Sequence, residues 1–427
     1  MATDPAPGST QADTPLGEVQ TEPIPPGAPR WLTKGVWGIG FASFLADVGH
    51  EVPTALFASL VTITLGAPAA ALGLIEGVAD GLAGLARFAG GTLSDDPNRR
   101  RGIAVGGYAS TAFFSALIGL AGAVWQVAVL RMAAWTSRGL RVPARNALLA
   151  DLVPAEVYGR AYGFERMMDN LGAIGGPLLA LGLVTLVGVR TAIVLSVIPG
   201  LLAALAILYA IRHLPHETSR ERVPPRIVVR PLLQGRLGQV LVGVSLFEAG
   251  NVATTLLILR ATQQLTPSLG LNGATQVAIG LYTGYNVAAA IASLPAGRLS
   301  DRWGAVGVLA VGVLFFMVAY LGFAISVPNL LALAGSFIVA GLAIGCIETS
   351  QHAAVASLAP TDLRGSAFGL LATVQSFGNI IASALAGLFW TVFSPTVAFV
   401  YLAVWALLSC VLLAGIALHP PPTASSH

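Results

Sequence analysis

Long apolar runs constrain this chain most strongly. About twelve of them recur along the 427-residue sequence, each close to the roughly 20 residues that a helix needs to cross a bilayer. Only 10% of the residues are charged, against about 25% in soluble domains. We therefore predict an all-α membrane protein, which excludes a soluble enzyme, a secreted disulfide scaffold and a nucleic-acid binder. The predicted spans are 35–61, 69–93, 103–123, 126–150, 160–188, 190–212, 237–260, 274–298, 304–325, 328–356, 362–390 and 395–418.

Polar segments set the domain organisation. The longest of them, 213–236, is predicted to be a cytoplasmic linker between two six-helix bundles, 31–212 and 237–418. Residues 1–30 are rich in Pro, Ala, Gly and Thr and have no basic stretch followed by an apolar run. They predict a disordered cytoplasmic tail rather than a signal peptide. Residues 419–427 predict a second tail.

Basic residues predict the orientation. They fall on alternate connections between the spans, whereas the opposite connections are short and almost without Lys or Arg. By the positive-inside rule, both termini and the linker are cytoplasmic. We expect a monomer surrounded by lipid in the plasma (inner) membrane. The basic residues on the predicted cytoplasmic side include Arg30, Lys34, Arg99, Arg100, Arg101, Arg160, Arg302 and Arg364.

An internal repeat relates the two halves. The loop around Asp95 (GGTLSDDPNRR) resembles the loop around Asp301 (AGRLSDRWG), an offset of 206 (301 − 95). The same offset carries ADLVPAEVYGRAYG, with Gly159, onto ASLAPTDLRGSAFG, with Gly365. Two separate loops that share one offset indicate a duplicated six-helix unit. Such duplications in transporters predict pseudo-symmetric halves around a site near the membrane midplane.

The first of these loops resembles motif A of the major facilitator superfamily, and the resemblance extends over about residues 31–418. It implies the major facilitator fold, made of two pseudo-symmetric six-helix bundles, and a transporter that needs no cofactor and is not an enzyme. A capping Asp paired with basic residues of the next helix would form a latch that closes one face. The latch residues are Gly91, Asp95, Arg99 and Arg100 in the first copy, and Gly297, Asp301 and Arg302 in the second.

Two further signatures resemble the drug/proton antiporter branch of this family. Arg131 lies twelve residues before Pro143, as in motif B, although Trp135 stands where that motif usually has glycine. The sequence from Gly172 to Gly176 and Pro177 is similar to motif C. This resemblance implies exchange of a small organic molecule for protons.

Ionisable side chains lie inside the predicted spans, where each costs about 2.5–3.5 kcal/mol on insertion scales unless it is paired or hydrated. Several lie four residues apart on one helical face, among them Asp47 and Glu51, and Glu76 and Asp80. A carboxylate beside an arginine could change its protonation as its surroundings alternate between wet and dry, with His50 as a relay. The predicted coupling and substrate residues are Asp47, His50, Glu51, Glu76, Asp80, Arg131, Arg138, Glu248, Asn251 and Glu348.

Several alternatives stay open at this point. The charges could form a static ion-pair lattice, a reading that we favour for Arg145, Glu165 and Arg166. An arginine stripe on span 4 would also suit an importer or facilitator of an anionic metabolite. Asp47, His50 and Glu248 could instead form the site of a divalent metal cation exporter, with the metal as substrate. The leading prediction is proton-coupled export of a small organic molecule, with no metal as cofactor.

Overall fold

The computed structural model describes the chain over residues 31–214, 228–325 and 329–419. The predicted tail 1–30, residues 215–227 of the predicted linker and residues 420–427 lie outside this range.

Within the described residues the chain forms twelve α-helices and no β-strand. Helices α1–α6, here called the N-half, precede residue 215, and α7–α12, the C-half, follow residue 227. The helices are α1 (Lys34–Ala58), α2 (Ala69–Leu93), α3 (Pro97–Leu117), α4 (Val124–Asp151), α5 (Tyr158–Leu195), α6 (Val197–Ile211), α7 (Gly235–Glu248), α8 (Thr254–Trp303), α9 (Ala305–Ala324), α10 (Leu330–Leu358), α11 (Arg364–Val392) and α12 (Pro395–Leu418).

Glycines in the left-handed region interrupt the two longest helices. Gly188 has φ 77° within α5, and Gly270 has φ 68° within α8. Glycine adopts this conformation at little cost because it has no Cβ. Gly188 lies at the predicted end of span 5, and Gly270 lies in the predicted break between spans 7 and 8.

The prediction was wrong about the course of span 7 and the start of span 3. A continuous helix was expected over 237–260, but α7 ends at Glu248 and α8 begins at Thr254. Span 3 begins at Pro97, not at residue 103, because the Asp96 side chain accepts a hydrogen bond from the backbone N–H of Asn98 at 2.9 Å and caps the helix there.

Seven helical stretches of the described chain are long and apolar enough to cross a membrane by length and composition. One of them, Ala155–Ile211, contains both α5 and α6, and another is α8. Helices α1, α2, α4 and α7 are outside this set, and each of the first three carries several ionisable side chains.

Helix packing repeats between the halves. In the N-half α1 packs against α5 and α6, and α2 against α4; in the C-half α10 packs against α8 and α9, and α12 against α7 and α9. The halves meet where α2 packs against α11 and where α5 packs against α8. The offset of 206 carries α2 onto part of α8 and α5 onto α11, so these two contacts are equivalent. The fold is therefore all-α, with two pseudo-symmetric six-helix bundles.

Candidate functional site

A central cavity of about 410 Å³ lies between the two halves, within the roughly 300–1,000 Å³ typical of small-molecule sites. Helices α1, α2, α4 and α5 form one wall, and α7, α10 and α11 form the other. The polar lining residues of the N-half are Asp47, Asp80, Arg87, Arg138, Arg141, Arg145, Arg166 and Asp169. Those of the C-half are Glu248, Asn251, Glu348, Gln351, His352, Gln375, Ser376 and Asn379.

The halves touch at one end of this cavity, here called the latch end. A Cβ added to Gly91 would lie 2.7 Å from the carbonyl oxygen of Gly365, and one added to Gly159 would lie 2.2 Å from that of Gly297. Only glycine permits backbones to approach this closely. A Cβ at Gly77, farther along α2, would meet no atom within 4 Å. The helices of the two halves are therefore packed together at the latch end and separate beyond it.

Carboxylates of the motif A loops cap helices of the opposite half. Asp95 accepts a hydrogen bond from the backbone N–H of Ser366 at 2.8 Å, in the first turn of α11, and another from the Ser366 hydroxyl. Asp301 accepts from the backbone N–H of Gly159 at 2.7 Å and from Nε of Arg160 at 2.7 Å, in the first turn of α5. Burial raises the pKa of the Asp95 carboxyl above 3.8, and the Ser366 hydrogen bonds oppose that rise.

The predicted ion pair between the motif Asp and the basic residues that follow it is absent from the described residues. Arg100 donates to the backbone carbonyl of Ser94 at 2.7 Å and pairs with Asp151 at the end of α4. Arg364 of the C-half contacts the same Asp151 at 3.3 Å. Each half therefore supplies an arginine to one carboxylate.

The two other basic residues of the motif lie at the surface. Arg99 pairs with Asp96 at 3.4 Å and is 48% exposed, and Arg302 is exposed. Among the described residues, neither forms an ion pair or a side-chain hydrogen bond with the opposite half, so they are not part of the latch geometry.

Asp47 and Arg138 form an ion pair at the cavity wall. Nη2 of Arg138 lies 3.4 Å from Oδ1 of Asp47, and its Nη1 lies 2.9 Å from Nε2 of His50. The other ring nitrogen of His50, Nδ1, lies 3.4 Å from Oε1 of Glu51. His50 thus lies between an arginine and a carboxylate, inside the N-half rather than on the cavity wall.

Motif C glycines bring α5 against this part of α1. A Cβ at Gly172 would lie 2.9 Å from Cβ of Asp47, and one at Gly176 would lie 2.3 Å from Cβ of Glu51. Pro177 follows on the exposed side of α5. The motif therefore determines how closely α5 approaches the helix that carries Asp47 and Glu51.

Arg131 belongs to a second cluster, between α2 and α4. It lies 2.9 Å from Glu76, and its guanidinium stacks 3.3 Å above the ring of Trp135. Nε1 of Trp135 donates to Asp80 at 2.8 Å. Arg131 is 1% exposed, and of this cluster only Asp80 reaches the cavity wall.

A third cluster lies where α4, α5 and α10 meet. Glu165, which is 0% exposed, contacts Arg145 at 2.8 Å and Arg166 at 2.6 Å. Arg166 also contacts Asp169 at 3.0 Å and reaches Glu348 of the C-half at 3.9 Å. Glu348 is therefore joined to the N-half across the cavity.

The interruption after α7 lies at the opposite wall. Glu248 is 2% exposed and accepts from Nδ2 of Asn251 at 2.8 Å. Side chains satisfy the backbone groups that the interruption frees. The Tyr320 hydroxyl donates to the Gly250 carbonyl at 2.8 Å, and Asn379 donates to the Asn251 carbonyl at 2.9 Å. Irregular backbone at membrane depth needs such partners.

The structure thus divides the predicted coupling and substrate residues into two groups. Those on the cavity wall are Asp47, Asp80, Arg138, Glu248, Asn251 and Glu348. Those inside the N-half, away from the cavity wall, are His50, Glu51, Glu76 and Arg131.

Sequence reasoning did not select Arg87, Gln375, Ser376 or Asn379 as site residues, although all four line the cavity. The position of Arg87 on the same face of α2 as Asp80, seven residues away, was the available signal. Among the described residues no three His, Cys, Asp or Glu side chains are grouped as metal ligands would be. His50, suggested for a metal site, faces Arg138 and Glu51 instead.

Comparison with known proteins gives the family. The sequence profile described as Major Facilitator Superfamily matches residues 39–278 and 240–427. The chain belongs to the major facilitator superfamily. It is 30% identical over 392 residues to an uncharacterized MFS-type transporter of Methanocaldococcus jannaschii, which covers 90% of this chain and 95% of that protein. The chain is therefore a transporter with the major facilitator fold, an integral membrane protein and not an enzyme.

Two further comparisons involve proteins with a stated substrate. This transporter is 27% identical over 312 residues to the gentisate transporter of Corynebacterium glutamicum, across 70% of this chain and 68% of that protein. Its fold is similar to that of a bacterial homologue of the iron transporter ferroportin in an outward-facing state, with a TM-score of 0.72 and 15% identity over 90% of this chain and 100% of that chain.

Proposed function

We propose that this transporter exports a small polar organic molecule in exchange for protons, by alternating access of residues 31–212 and 237–418. The observation that carries the proposal is the cavity between the halves, where carboxylates from both halves lie beside arginines. A carboxylate in such a cavity can hold either a proton or a donor group of the substrate. Because the two compete, taking up one releases the other, which is the condition for exchange.

The latch supports alternating access. Asp95 and Asp301 each cap a helix of the opposite half, so both contacts must break before the latch end can open. In each contact a carboxylate accepts a charge-assisted hydrogen bond from a backbone N–H. These bonds hold the latch end closed and involve no covalent change. Opening this end while the helices close beyond Gly77 would expose the same cavity to the other side.

We also propose that the latch end is cytoplasmic, with both termini on that side of a plasma membrane. The support is the clustering of arginines at this end, including Arg99, Arg100 and Arg364. The lining of the cavity comes from helices of both halves of one chain, which supports a monomer as the working unit. In this orientation an inward proton gradient drives the substrate outward.

Coupling residues are proposed to be those on the cavity wall. Asp47 is the first, because it is buried, contacts Arg138 and lies on the helix that motif C packs against. Glu248 and Glu348 provide carboxylates on the other wall. The polar lining favours a small charged or polar substrate over a hydrophobic drug, in contrast to the antiporter branch that the motifs resemble.

Proteoliposomes containing a pH-sensitive dye test the exchange. Compounds that raise the melting temperature of the purified protein, drawn from organic acids, amino acids, cationic drugs and divalent metals, are added outside. Exchange for protons raises the interior pH as the compound enters. A fall in interior pH would indicate co-transport with protons, and entry without any pH change would contradict coupling.

The Asp47→Asn variant tests the proposed coupling residue. We expect the compound still to enter but the interior pH to stay constant. Glu156→Gln is the matched control, because Glu156 is an exposed acid outside the cavity and its removal should leave the pH change intact. Full coupling in Asp47→Asn contradicts the role proposed for Asp47.

A second candidate function is uptake of an organic anion, favoured by the arginines of the N-half wall and by the gentisate transporter as a relative. Gentisate entry accompanied by a fall in interior pH would favour this second function.

A further inference from the structure

Two arginines of the cavity wall form no ion pair with a carboxylate anywhere in the described chain: Arg87 on α2 and Arg141 on α4. Arg141 lies 4.0 Å above the ring of Tyr108. Arg87 donates to the Ala372 carbonyl at 3.4 Å and to the Ser376 hydroxyl, and its Nε is buried without a hydrogen-bond partner. Both guanidinium groups border the cavity, where a charged ligand could reach them.

The surroundings of these arginines increase the positive potential. Arg138 lies close enough to repel both of them electrostatically. Two carboxylates share this part of the wall and are already engaged: Asp47 by Arg138, and Asp80 by the indole N–H of Trp135. Guanidinium groups bind a carboxylate with strong charge-assisted hydrogen bonds.

The opposite wall of the cavity, formed by the C-half, carries a negative charge that is unpaired within the described chain. Glu248 has Asn251 as its hydrogen-bond partner and, among the described residues, no cation within ion-pair distance. It is also the last residue of α7. The carboxyl-terminal end of a helix carries a partial negative charge that favours cations. A carboxylate, the Asn251 side-chain oxygen and a helix terminus therefore converge at one point of the C-half wall.

We propose that the substrate is a zwitterion, a small amino acid or peptide, whose carboxylate binds Arg87 and Arg141 while its ammonium group binds Glu248 and Asn251. This inference rests on the proposed function and names the substrate class. An anion would satisfy the N-half wall alone, and a cation would satisfy Glu248 alone. A zwitterion joins the two walls with opposite charges, one end on each half.

The exchange then has a simple physical form. A proton on Glu248 removes the charge that holds the ammonium group, so the zwitterion keeps contact only with the N-half wall and dissociates more easily. Arrival of a zwitterion favours ionised Glu248 and releases the proton. Because the ligand contacts both halves, its binding also favours a cavity that is closed around it.

Binding to the purified full-length protein tests the substrate class. The probes are the standard amino acids and the dipeptides alanyl-alanine and alanyl-phenylalanine, measured by thermal shift and isothermal titration calorimetry. For every zwitterion that binds, the N-acetyl derivative and the methyl ester are measured beside it, with gentisate as an anion lacking an amine. We expect each blocked derivative to bind at least about tenfold more weakly, since each loses one charged contact.

Three results overturn the proposal. The first is that no zwitterion of the set binds. The second is that an N-acetyl derivative or gentisate binds as tightly as the parent zwitterion, which assigns an anion site. The third is that a methyl ester does so, which assigns a cation site.

Variants assign the two ends of the ligand. Glu248→Gln should weaken binding of the zwitterion and of its methyl ester about tenfold or more, because both lose the contact of the ammonium group, and should leave the affinity for the N-acetyl derivative near the parent value. Arg87→Gln should produce an equal loss, and Arg87→Lys should restore part of it because it keeps the charge. Arg101→Gln and Glu156→Gln, both exposed outside the cavity, are the matched controls. Equal affinities in all variants overturn the assignment.

These measurements are independent of proton coupling. Binding of zwitterions without any change of interior pH during their entry would contradict the proposed exchange but leave the substrate class standing. Proton exchange driven by a non-zwitterionic compound would contradict the proposed substrate class but leave the proposed exchange standing.

Discussion

The Asp95 carboxylate accepts a hydrogen bond from the backbone N–H of Ser366 at 2.8 Å, although the two residues belong to different halves of the molecule. Its counterpart in the repeat, Asp301, accepts from the backbone N–H of Gly159 at 2.7 Å. A carboxylate at a helix N-terminus binds free backbone N–H groups and interacts favourably with the helix dipole. The same interaction therefore joins the halves twice, in opposite directions along the sequence.

Replacement of Asp95 by Ala, which removes the acceptor oxygens, should weaken the closed latch. An N-cap contributes about 0.5–2 kcal/mol, so we expect the population with an open latch end to rise by roughly 2- to 30-fold. Spin labels at Arg99 and Thr361, on either side of the latch, report the change as longer distances in double electron–electron resonance. The matched control is Asp362→Ala, which removes an exposed acid of the same end and should leave the distances unchanged. Identical distributions in Asp95→Ala and the parent protein would show that the cap does not hold this end closed.

A methyl group on Gly91 should interfere with the same closure. The added Cβ would lie 2.7 Å from the Gly365 carbonyl oxygen and 2.7 Å from Cα of Gly369, and forced overpacking costs about 1–3 kcal/mol. We expect Gly91→Ala to slow transport and to open the latch end. The matched variant Gly106→Ala lies on the exposed side of α3, where a Cβ meets nothing within 4 Å, and it should transport normally. Similar rates for the two variants contradict a requirement for close approach.

The buried pair of Glu165 and Arg166 should matter for stability more than any surface pair. Removing one partner of a buried ion pair costs about 3–5 kcal/mol because a charge is left uncompensated. Glu165 is 0% exposed, and in Arg166→Gln it keeps only Arg145 as a cation. We expect a clear fall in melting temperature for this variant. Arg99→Gln, which removes an exposed partner of Asp96, should lie near the parent value, as exposed pairs contribute about 0–1 kcal/mol.

The sequence contained enough information for the helices and for the latch carboxylates. The helices could be located from apolar runs separated by short polar segments, because a helix needs about 20 apolar residues to span a bilayer. The common offset of Asp95 and Asp301 showed that they are equivalent. It did not show that each caps a helix of the other half, because the partner of a carboxylate depends on how two bundles dock. The expected pairing of Asp95 with Arg99 or Arg100 was wrong for this reason.

The sequence does not specify how each helix is rotated about its axis, and this explains most of the cavity-lining residues that could not be predicted. A spacing of four places Glu76 and Asp80 on one face of α2, but does not say how far that face turns toward the cavity. Asp80 reaches the wall, whereas Glu76 pairs with Arg131 inside the N-half. Arg87 faces the cavity and contacts Ser376 of the other half. Contacts of this kind depend on tertiary packing, which a single sequence does not specify.

The last prediction separates two arginines of α4 that are seven residues apart and that the sequence could not distinguish. Arg131 is 1% exposed, paired with Glu76 and stacked 3.3 Å above Trp135. Arg138 lies on the cavity wall beside Asp47. A desolvated cation–π contact contributes about 2 kcal/mol, and loss of the ion pair adds to it. Arg131→Gln should therefore lower the melting temperature more than Arg138→Gln does.

The same two variants should rank in the opposite order when transport is measured. Arg138→Gln removes a charge from the cavity and leaves Asp47 without its ion-pair partner, so the rate per correctly folded molecule should fall by about tenfold or more. Arg131→Gln should retain most of the rate once its lower folded fraction is taken into account. The comparison uses initial uptake rates in proteoliposomes, normalised to the monodisperse protein recovered by gel filtration. If Arg131→Gln loses more of the normalised rate than Arg138→Gln does, Arg131 takes part in coupling, as the resemblance to motif B implies.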